Sequence, residues 1–322
     1  MTEIPAPRSL TLTVTQKSQV ADDIFMFELR NPLGEELPSF NPGAHITVKT
    51  PSGQKRRYSL CNKSDERNRY VIAVKQEQSG RGGSLSLTTS VNVGSTIEVE
   101  SPQNEFEMST TEPASYLFIA GGIGITPIRS MIWHIIGLGK SNFKLYYFTR
   151  NPTLMAFKDE FLAPEFADRV VLHHDGGDPD KAYDLWPVLE EQHGRHLYCC
   201  GPRPLMDAVR DMTGHWSDSS VHFEDFVGAV ADFPDDRPFA VVLARSGNRY
   251  EVPVKVSILD VLRQNGYVLP SSCESGTCGT CRTRYIAGEP DHRDLVLSER
   301  EKRHNIMICV SRSKSAELTL DI

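Results

Sequence analysis

Four cysteines constrain this chain more than any other feature. Cys273, Cys278 and Cys281 stand in a C-x4-C-x2-C run, and Cys309 follows after 27 intervening residues. Four thiolates so spaced can converge on two iron ions, in the pattern that holds a plant-type [2Fe–2S] cluster. A bound cluster keeps net negative charge, so backbone N–H groups must turn towards its sulfurs, and glycine lets the chain come that close. Gly276 and Gly279 stand between the ligands for this purpose, and Ser271, Ser272, Ser275 and Thr277 offer hydroxyls. Cys309 lies in the apolar run 306–310, able to deliver it from a packed element. Zinc also takes four cysteines, but ordinarily from two C-x2-C knuckles. A zinc-stapled binding module without redox activity is therefore the alternative of another class. Cys61, Cys199 and Cys200 lie far away in apolar or turn contexts, so the seven cysteines are not a disulfide framework.

The 322 residues ahead of and around this motif exceed one ordinary core and imply two or three domains. Residues 1–108 read as short alternating strands at 10–15, 24–28, 45–49, 57–60, 70–75 and 96–100, separated by turn signals such as Asn41-Pro42-Gly43. Strands this short, without intervening helices, predict a small antiparallel β-barrel. Residues 109–227 change to alternating strand and helix, with buried strands expected at 116–120, 144–149, 170–174 and 196–200. That is an α/β domain with a parallel sheet. Residues 228–237 read as a loose acidic linker. The remainder, 238–322, carries strands at 239–244 and 249–254, a helix at 258–265 and the cysteine loop, a β-grasp-like α+β arrangement.

Two turns in the middle segment sit where ligands bind. Gly121-Gly122-Ile123-Gly124-Ile125-Thr126-Pro127 follows a strand and opens a helix, the context in which a glycine loop meets phosphate. Gly122 and Gly124 are expected to let the backbone approach a pyrophosphate, with Thr126 as N-cap and Pro127 in the first turn. Cys199-Cys200-Gly201-Pro202 repeats the context after another strand. Free cysteine is usually a small core residue, yet the carboxyl end of a strand in an open α/β sheet favours a site. In the first segment, Arg56-x-Tyr58 puts a cation and an aromatic on one strand face, while Gly80-Arg81-Gly82-Gly83-Ser84 supplies flexible backbone, a guanidinium and a hydroxyl. Singly these read equally well as an exposed strand face and a mobile hairpin. His173-His174 with Asp175–Asp178 reads as a strand end and a solvated acidic loop rather than a metal site.

The formal charge of −7 argues against a nucleic-acid binder, which needs a basic face. No stretch reaches the roughly 18 apolar residues of a membrane span. The first ten residues carry no apolar signal core. A cytoplasmic, monomeric protein away from membranes is expected.

Together the motifs at 56–62, 73–75, 80–84, 121–127, 199–202, 222–226 and 271–281 resemble the ferredoxin-NADP reductase superfamily. The order of flavin barrel, nicotinamide domain and C-terminal ferredoxin is similar to the phthalate dioxygenase reductase family over essentially the whole chain. The resemblance implies FMN, with Arg56, Arg57, Tyr58 and Ser59 lining the isoalloxazine and Ser59 near its N5. Ala73, Val74 and Lys75 would flank the ring and ribityl chain. Gly80, Arg81, Gly82, Gly83 and Ser84 would take the phosphate, and Phe226 would stack beside the ring. Gly122, Gly124 and Thr126 would face NADH, with Cys200, Gly201 and Pro202 beside the hydride path. NADH rests on the likeness, because in Thr149-Arg150-Asn151-Pro152 Asn151 stands where an acid is expected and Arg150 can accept a 2′-phosphate; Asp175 is a possible substitute. The implied activity is two-to-one electron conversion, with a hydride from NADH entering the flavin and single electrons leaving through the cluster. No side chain is needed as acid or base; the path runs by Ser59, Thr126, Cys200 and Phe226. The implied acceptor is an oxygenase component with a Rieske centre, of the phthalate, vanillate or chlorobenzoate type. A soluble ferredoxin, a cytochrome or another reducing enzyme is the rival acceptor.

Overall fold

The computed structural model of the chain describes residues 8–78, 82–110, 113–226, 236–271, 276, 279–294 and 296–322. The chain divides into two compact units, Met1–His222 and Phe223–Ile322.

The first unit begins with β1 (Ser9–Ala21), β2 (Ile24–Arg30), β3 (His45–Lys49), β4 (Lys55–Ser59), β5 (Tyr70–Lys75) and β6 (Thr96–Glu100). They form an antiparallel sheet in the order β4-β3-β6-β1-β2-β5, and a bridge from Leu60 to Ile72 brings its two edges together as a barrel. Inward positions of the alternating strands fill the core, among them Leu12, Val14, Phe27, Leu29, Ile46, Val48, Ile72 and Val74. The strand-only reading of this segment needs one correction. Between β5 and β6 lies α1 (Gly83–Ser90), a helix whose sequence GSLSLTTS carries almost no helical signal.

The same unit continues into a sheet ordered β11-β10-β7-β8-β9, in which β7 (Ser115–Gly121), β8 (Phe143–Thr149), β9 (Val170–His174) and β10 (Arg195–Cys200) pair in parallel and β11 (Val221–Glu224) lies at the edge, where the unit ends. β7 is hydrophobic on both faces because the sheet is covered on both. From β7 the chain runs outward through β8 and β9, then returns to lay β10 on β7's other side. The crevice between the carboxyl ends of β7 and β10 is thus a topological switch point, where open α/β sheets take ligands. The helix α2 (Ile125–Gly137) leaves β7 through a single 3-10 turn, Gly122–Gly124.

In the second unit, β12 (Phe239–Leu243) pairs antiparallel with β13 (Arg249–Val252) and parallel with the strand Glu317–Leu320. The strands Arg282–Ala287 and Asn305–Met307 complete a mixed five-stranded sheet, and the helix Ile258–Gln264 packs its Ile258, Leu259 and Leu262 into the core. This is the expected β-grasp-like arrangement. No helix among the described residues is long and apolar enough to cross a membrane.

Candidate functional site

Pleating of β4 sends Arg56 and Tyr58 to one face and Arg57 and Ser59 to the other. The Tyr58 ring packs on the barrel core, and its buried hydroxyl has no hydrogen-bond partner among the described residues. Burial pushes this phenol up to about 12 against the pull of Arg56. It is a proton donor without an acceptor among the described residues. Arg56 lies against the start of α1: a Cβ on Gly83 would sit 2.9 Å from its Nε. At that end Gly82 adopts φ +84 as N-cap and no side chain caps the helix, so its first N–H groups remain available. The Ser84 hydroxyl stands beside them, accepting from Glu77 N at 3.1 Å. Helix N–H groups, a guanidinium and a hydroxyl form a set that could hold a terminal phosphate. Arg56 thus stands beside the start of α1, with its guanidinium donating to Lys55 O and to the Gln54 side chain. Gly80 and Arg81 lie outside the described residues.

The remaining barrel candidates separate by direction. Ser59 is buried at the end of β4, while Arg57 is engaged by Glu105 at 3.0 Å. Val74 points into the barrel core, so only its backbone can border a ring. Ala73 points the other way, into the cluster that holds Ile125 and Ile128 of α2. Lys75 is exposed and pairs with Glu77.

At the switch point, the glycines divide their labour. Gly122 has φ +53 and open space where a Cβ would be, so it can meet a ligand. Gly124 serves a different need: its Cβ would fall 2.1 Å from the carbonyl oxygen of Cys200. Gly201 is likewise pressed on Gly121, with a Cβ 2.9 Å from the Gly121 Cα. The two turns interlock backbone to backbone. Thr126 is not the N-cap; Gly124 holds that position, and Thr126 sits buried inside α2 with its Oγ1 donating to Ile123 O at 3.0 Å. The glycine turn tightens into a 3-10 step and starts the helix sooner than the sequence suggests. Cys200 is fully buried within the core cluster. Pro202 precedes the helix Arg203–Met212 as its N-cap and touches the Gly121 side of the loop.

Asn151 caps a turn. Its Oδ1 accepts from Thr153 N at 3.1 Å and Leu154 N at 3.2 Å, capping a 3-10 turn. Arg150 is exposed beside Gly177. Asp175 accepts from Gly177 N at 2.7 Å, while His173 and His174 bond Lys181 O and Thr149 Oγ1. These contacts hold the turn that follows β9.

A fastening between barrel and α2 escaped sequence reading. Arg129 is clasped by Glu160, lies over the Phe157 ring and donates to the carbonyl of Cys61. Ser130 donates to the carbonyl of Asn62 at 2.8 Å. The segment following β4 is thereby fixed to the helix that leaves the glycine loop. The partners are separated by about 68 positions in sequence, so no local pattern marks them. Burial pushes the Cys61 thiol up to about 11 and Cys199 higher, marking both as packed thiols rather than nucleophiles.

In the second unit, Cys281 and Cys309 are buried at 4% and 1% exposure within one core cluster. Cys309 is carried by the buried run 306–310, as expected. Gly276 and Gly279 adopt φ +81 and +79, turns suited to glycine, and a Cβ on Gly276 would meet Val310 at 2.7 Å. Gly276 is thus pressed onto the residue following Cys309. Cys273, Cys278, Ser272, Ser275 and Thr277 lie outside the described residues. Phe226 is exposed and belongs to this second unit. A cavity of about 250 Å³ edged by Asn142, Lys144 and Arg195 opens at the opposite, amino-terminal end of the parallel strands, away from the glycine turns.

Three families match in succession: an oxidoreductase FAD-binding domain over residues 11–108, an oxidoreductase NAD-binding domain over 118–211, and a 2Fe-2S iron-sulfur cluster binding domain over 241–314. The chain is 54% identical to the phthalate 4,5-dioxygenase oxygenase reductase subunit of Pseudomonas putida, across 97% of this chain and 96% of that one. It is 51% identical to the phthalate dioxygenase reductase of Burkholderia cepacia, across 97% of each. A solved phthalate dioxygenase reductase, described as a modular structure for electron transfer from pyridine nucleotides to [2Fe-2S], superposes with a TM-score of 0.78 at 50% identity over 98% of each chain.

Proposed function

We propose, from the premise that this chain belongs to the phthalate dioxygenase reductase family, that its electron acceptor is a Rieske-type oxygenase of aromatic carboxylates, with phthalate the first substrate to test. The chain is an oxidoreductase with flavin, nicotinamide and [2Fe–2S] domains, and the zinc-staple alternative falls with the cluster-domain match. The observation carrying the acceptor is the near full-length likeness to an oxygenase reductase subunit. We assign residues 1–108 to the flavin barrel, 109–227 to the NADH domain, 228–237 to a linker and 238–322 to the ferredoxin, and place the chain in the cytoplasm as a monomer.

The residues present suit FMN. Arg56, Gly82, Gly83 and Ser84 at the helix terminus would hold a terminal phosphate, and the Tyr58 hydroxyl would offer a bound flavin a donor. When bound, the flavin takes an electron pair from NADH as hydride and hands electrons singly to the cluster. The protein's part is placement. Gly122 leaves room for the dinucleotide, the interlocked turns at Gly124 and Gly201 fix the floor of the crevice, and Arg129 and Ser130 hold that floor to the barrel. Cys273, Cys278, Cys281 and Cys309 would ligate the cluster, with Gly276 and Gly279 letting the backbone close round it. No acid or base is required of a side chain.

The test is NADH and NADPH consumption with purified phthalate, vanillate and chlorobenzoate oxygenases. Phthalate-dependent, NADH-driven product formation is expected. Equal or greater coupling to another oxygenase, or to a soluble ferredoxin or cytochrome, would refute the assignment.

A further inference from the structure

We propose that Lys17 is a positioning residue for the flavin phosphate: from β1 it holds α1 in helical form and so makes the barrel favour a phosphorylated flavin. This rests on the reading of Arg56 and residues 82–84 as the phosphate cradle.

α1 cannot sustain itself. Its eight residues are one glycine, three serines, two threonines and two leucines, well below the length and propensity of an autonomous helix. It has no side-chain N-cap, no acid in its first turn and no base in its last. Within it, Ser86, Thr88 and Thr89 turn their hydroxyls back onto the carbonyls of Gly83, Ser84 and Leu85, contacts that favour bending over regularity. Order must come from outside. Burial of Leu87 and Thr88 supplies part of it.

Lys17 supplies the rest. Its Nζ donates to Thr88 O at 2.7 Å and Val91 O at 2.8 Å, the carbonyls left open at the helix end. It lies 5.8 and 5.7 Å from the Phe25 and Phe27 ring centres on β2. No carboxylate among the described residues shares this ammonium. Its charge is directed at the negative end of the helix. Eight residues rising 1.5 Å each put the phosphate end about 12 Å away, beyond a Debye length of about 10 Å. Lys17 therefore acts by keeping the N–H groups at the far end convergent, not by attracting the phosphate itself.

The test compares FMN with riboflavin, which lacks the phosphate. Each flavin is bound to wild type and to the K17M, K17Q and K17R variants, and flavin fluorescence on dilution gives the dissociation constants. K17M should weaken FMN about tenfold and riboflavin less than about twofold. K17R should restore most of the loss, and K17Q, a donor without charge, should fall between. Equal weakening for both flavins would reduce Lys17 to a general barrel brace and overturn the proposal, as would an unchanged FMN constant. Should K17M not fold, the same comparison on K17Q decides. If wild type itself binds riboflavin as tightly as FMN, the phosphate cradle is the failed premise, and the proposal falls with it.

Discussion

Two substitutions in one glycine loop should fail in opposite ways. In Gly124→Ala the new methyl meets the Cys200 carbonyl oxygen at 2.1 Å and its carbon at 2.5 Å, where real contacts essentially never fall below 3.0 Å. The obstacle is backbone, so no rotamer relieves it, and the turns after β7 and β10 must part by nearly an ångström. Overpacking of this kind costs about 3 kcal/mol. At about 2–4 °C per kcal/mol for a unit of this size, the melting temperature should fall by about 6–12 °C. In Gly122→Ala the methyl meets nothing within 4 Å, and the cost is the left-handed backbone at φ +53, about 1–2 kcal/mol. That corresponds to about 2–8 °C. The methyl projects into the open crevice, so NADH should bind at least about tenfold more weakly, an added contact of the kind that costs roughly 1.4 kcal/mol. Differential scanning fluorimetry reads the first effect, and stopped-flow flavin reduction across NADH concentrations reads the second. A Gly124→Ala protein melting within about 2 °C of wild type would refute the interlock. Wild-type NADH affinity in Gly122→Ala would refute the assignment of the open side to the nucleotide.

Tyr58→Phe should weaken FMN about fivefold, the loss of one net hydrogen bond, while the flavin-free barrel is no less stable, because its hydroxyl has no partner among the described residues; fluorescence titration and a melt check the pair. Cys309→Ser should abolish the visible bands of the cluster but leave the flavin bound and NADH–ferricyanide activity within about twofold of wild type, since the barrel and the glycine turns lie in the other unit. Burial opposes ionisation of Glu28, but hydrogen bonds from Arg69, Arg30 and Thr15 hold it down at about 2 from 4.5. Its contribution is complete above about pH 4.5 and disappears as pH falls towards 2. Burial and the neighbouring His196 likewise lower His222 from 6.5 to about 4, beneath the Tyr198 ring stacked 4.4 Å away, so its contribution disappears as pH falls from 6.5 towards 4. Melting temperatures should therefore drop between pH 7 and 5 in wild type and drop less in His222→Phe; an unchanged slope in that variant would contradict the assignment.

What the sequence revealed was local, and what it concealed was contact between distant segments. Cysteine spacing, strand alternation and the strand–glycine–helix order are written within a few neighbouring residues, and each led to the right element. The steric duty of Gly124 is not legible in the sequence because the atom that excludes a side chain there belongs to Cys200, far along the chain. Thr126 was misplaced for a related reason: a cap is chosen by where the turn tightens, and the 3-10 step at Gly122–Gly124 decides that. α1 was missed because its composition disfavours a helix and its order comes from Leu87 packing and the β1 lysine. The fastening of Arg129 and Ser130 to backbone carbonyls left no trace, since a carbonyl acceptor has no residue identity.

The backbone interlock also bears on engineering. Where Gly121, Gly124 and Gly201 meet the facing turn, backbone and the rigid Pro202 ring leave little with which to accommodate a foreign partner. A graft that exchanges only residues 121–127 for those of another reductase would bring a loop cut to a different counterpart. Cofactor preference should therefore transfer between such enzymes only when residues 121–127 and 199–202 move together, as a single inherited part.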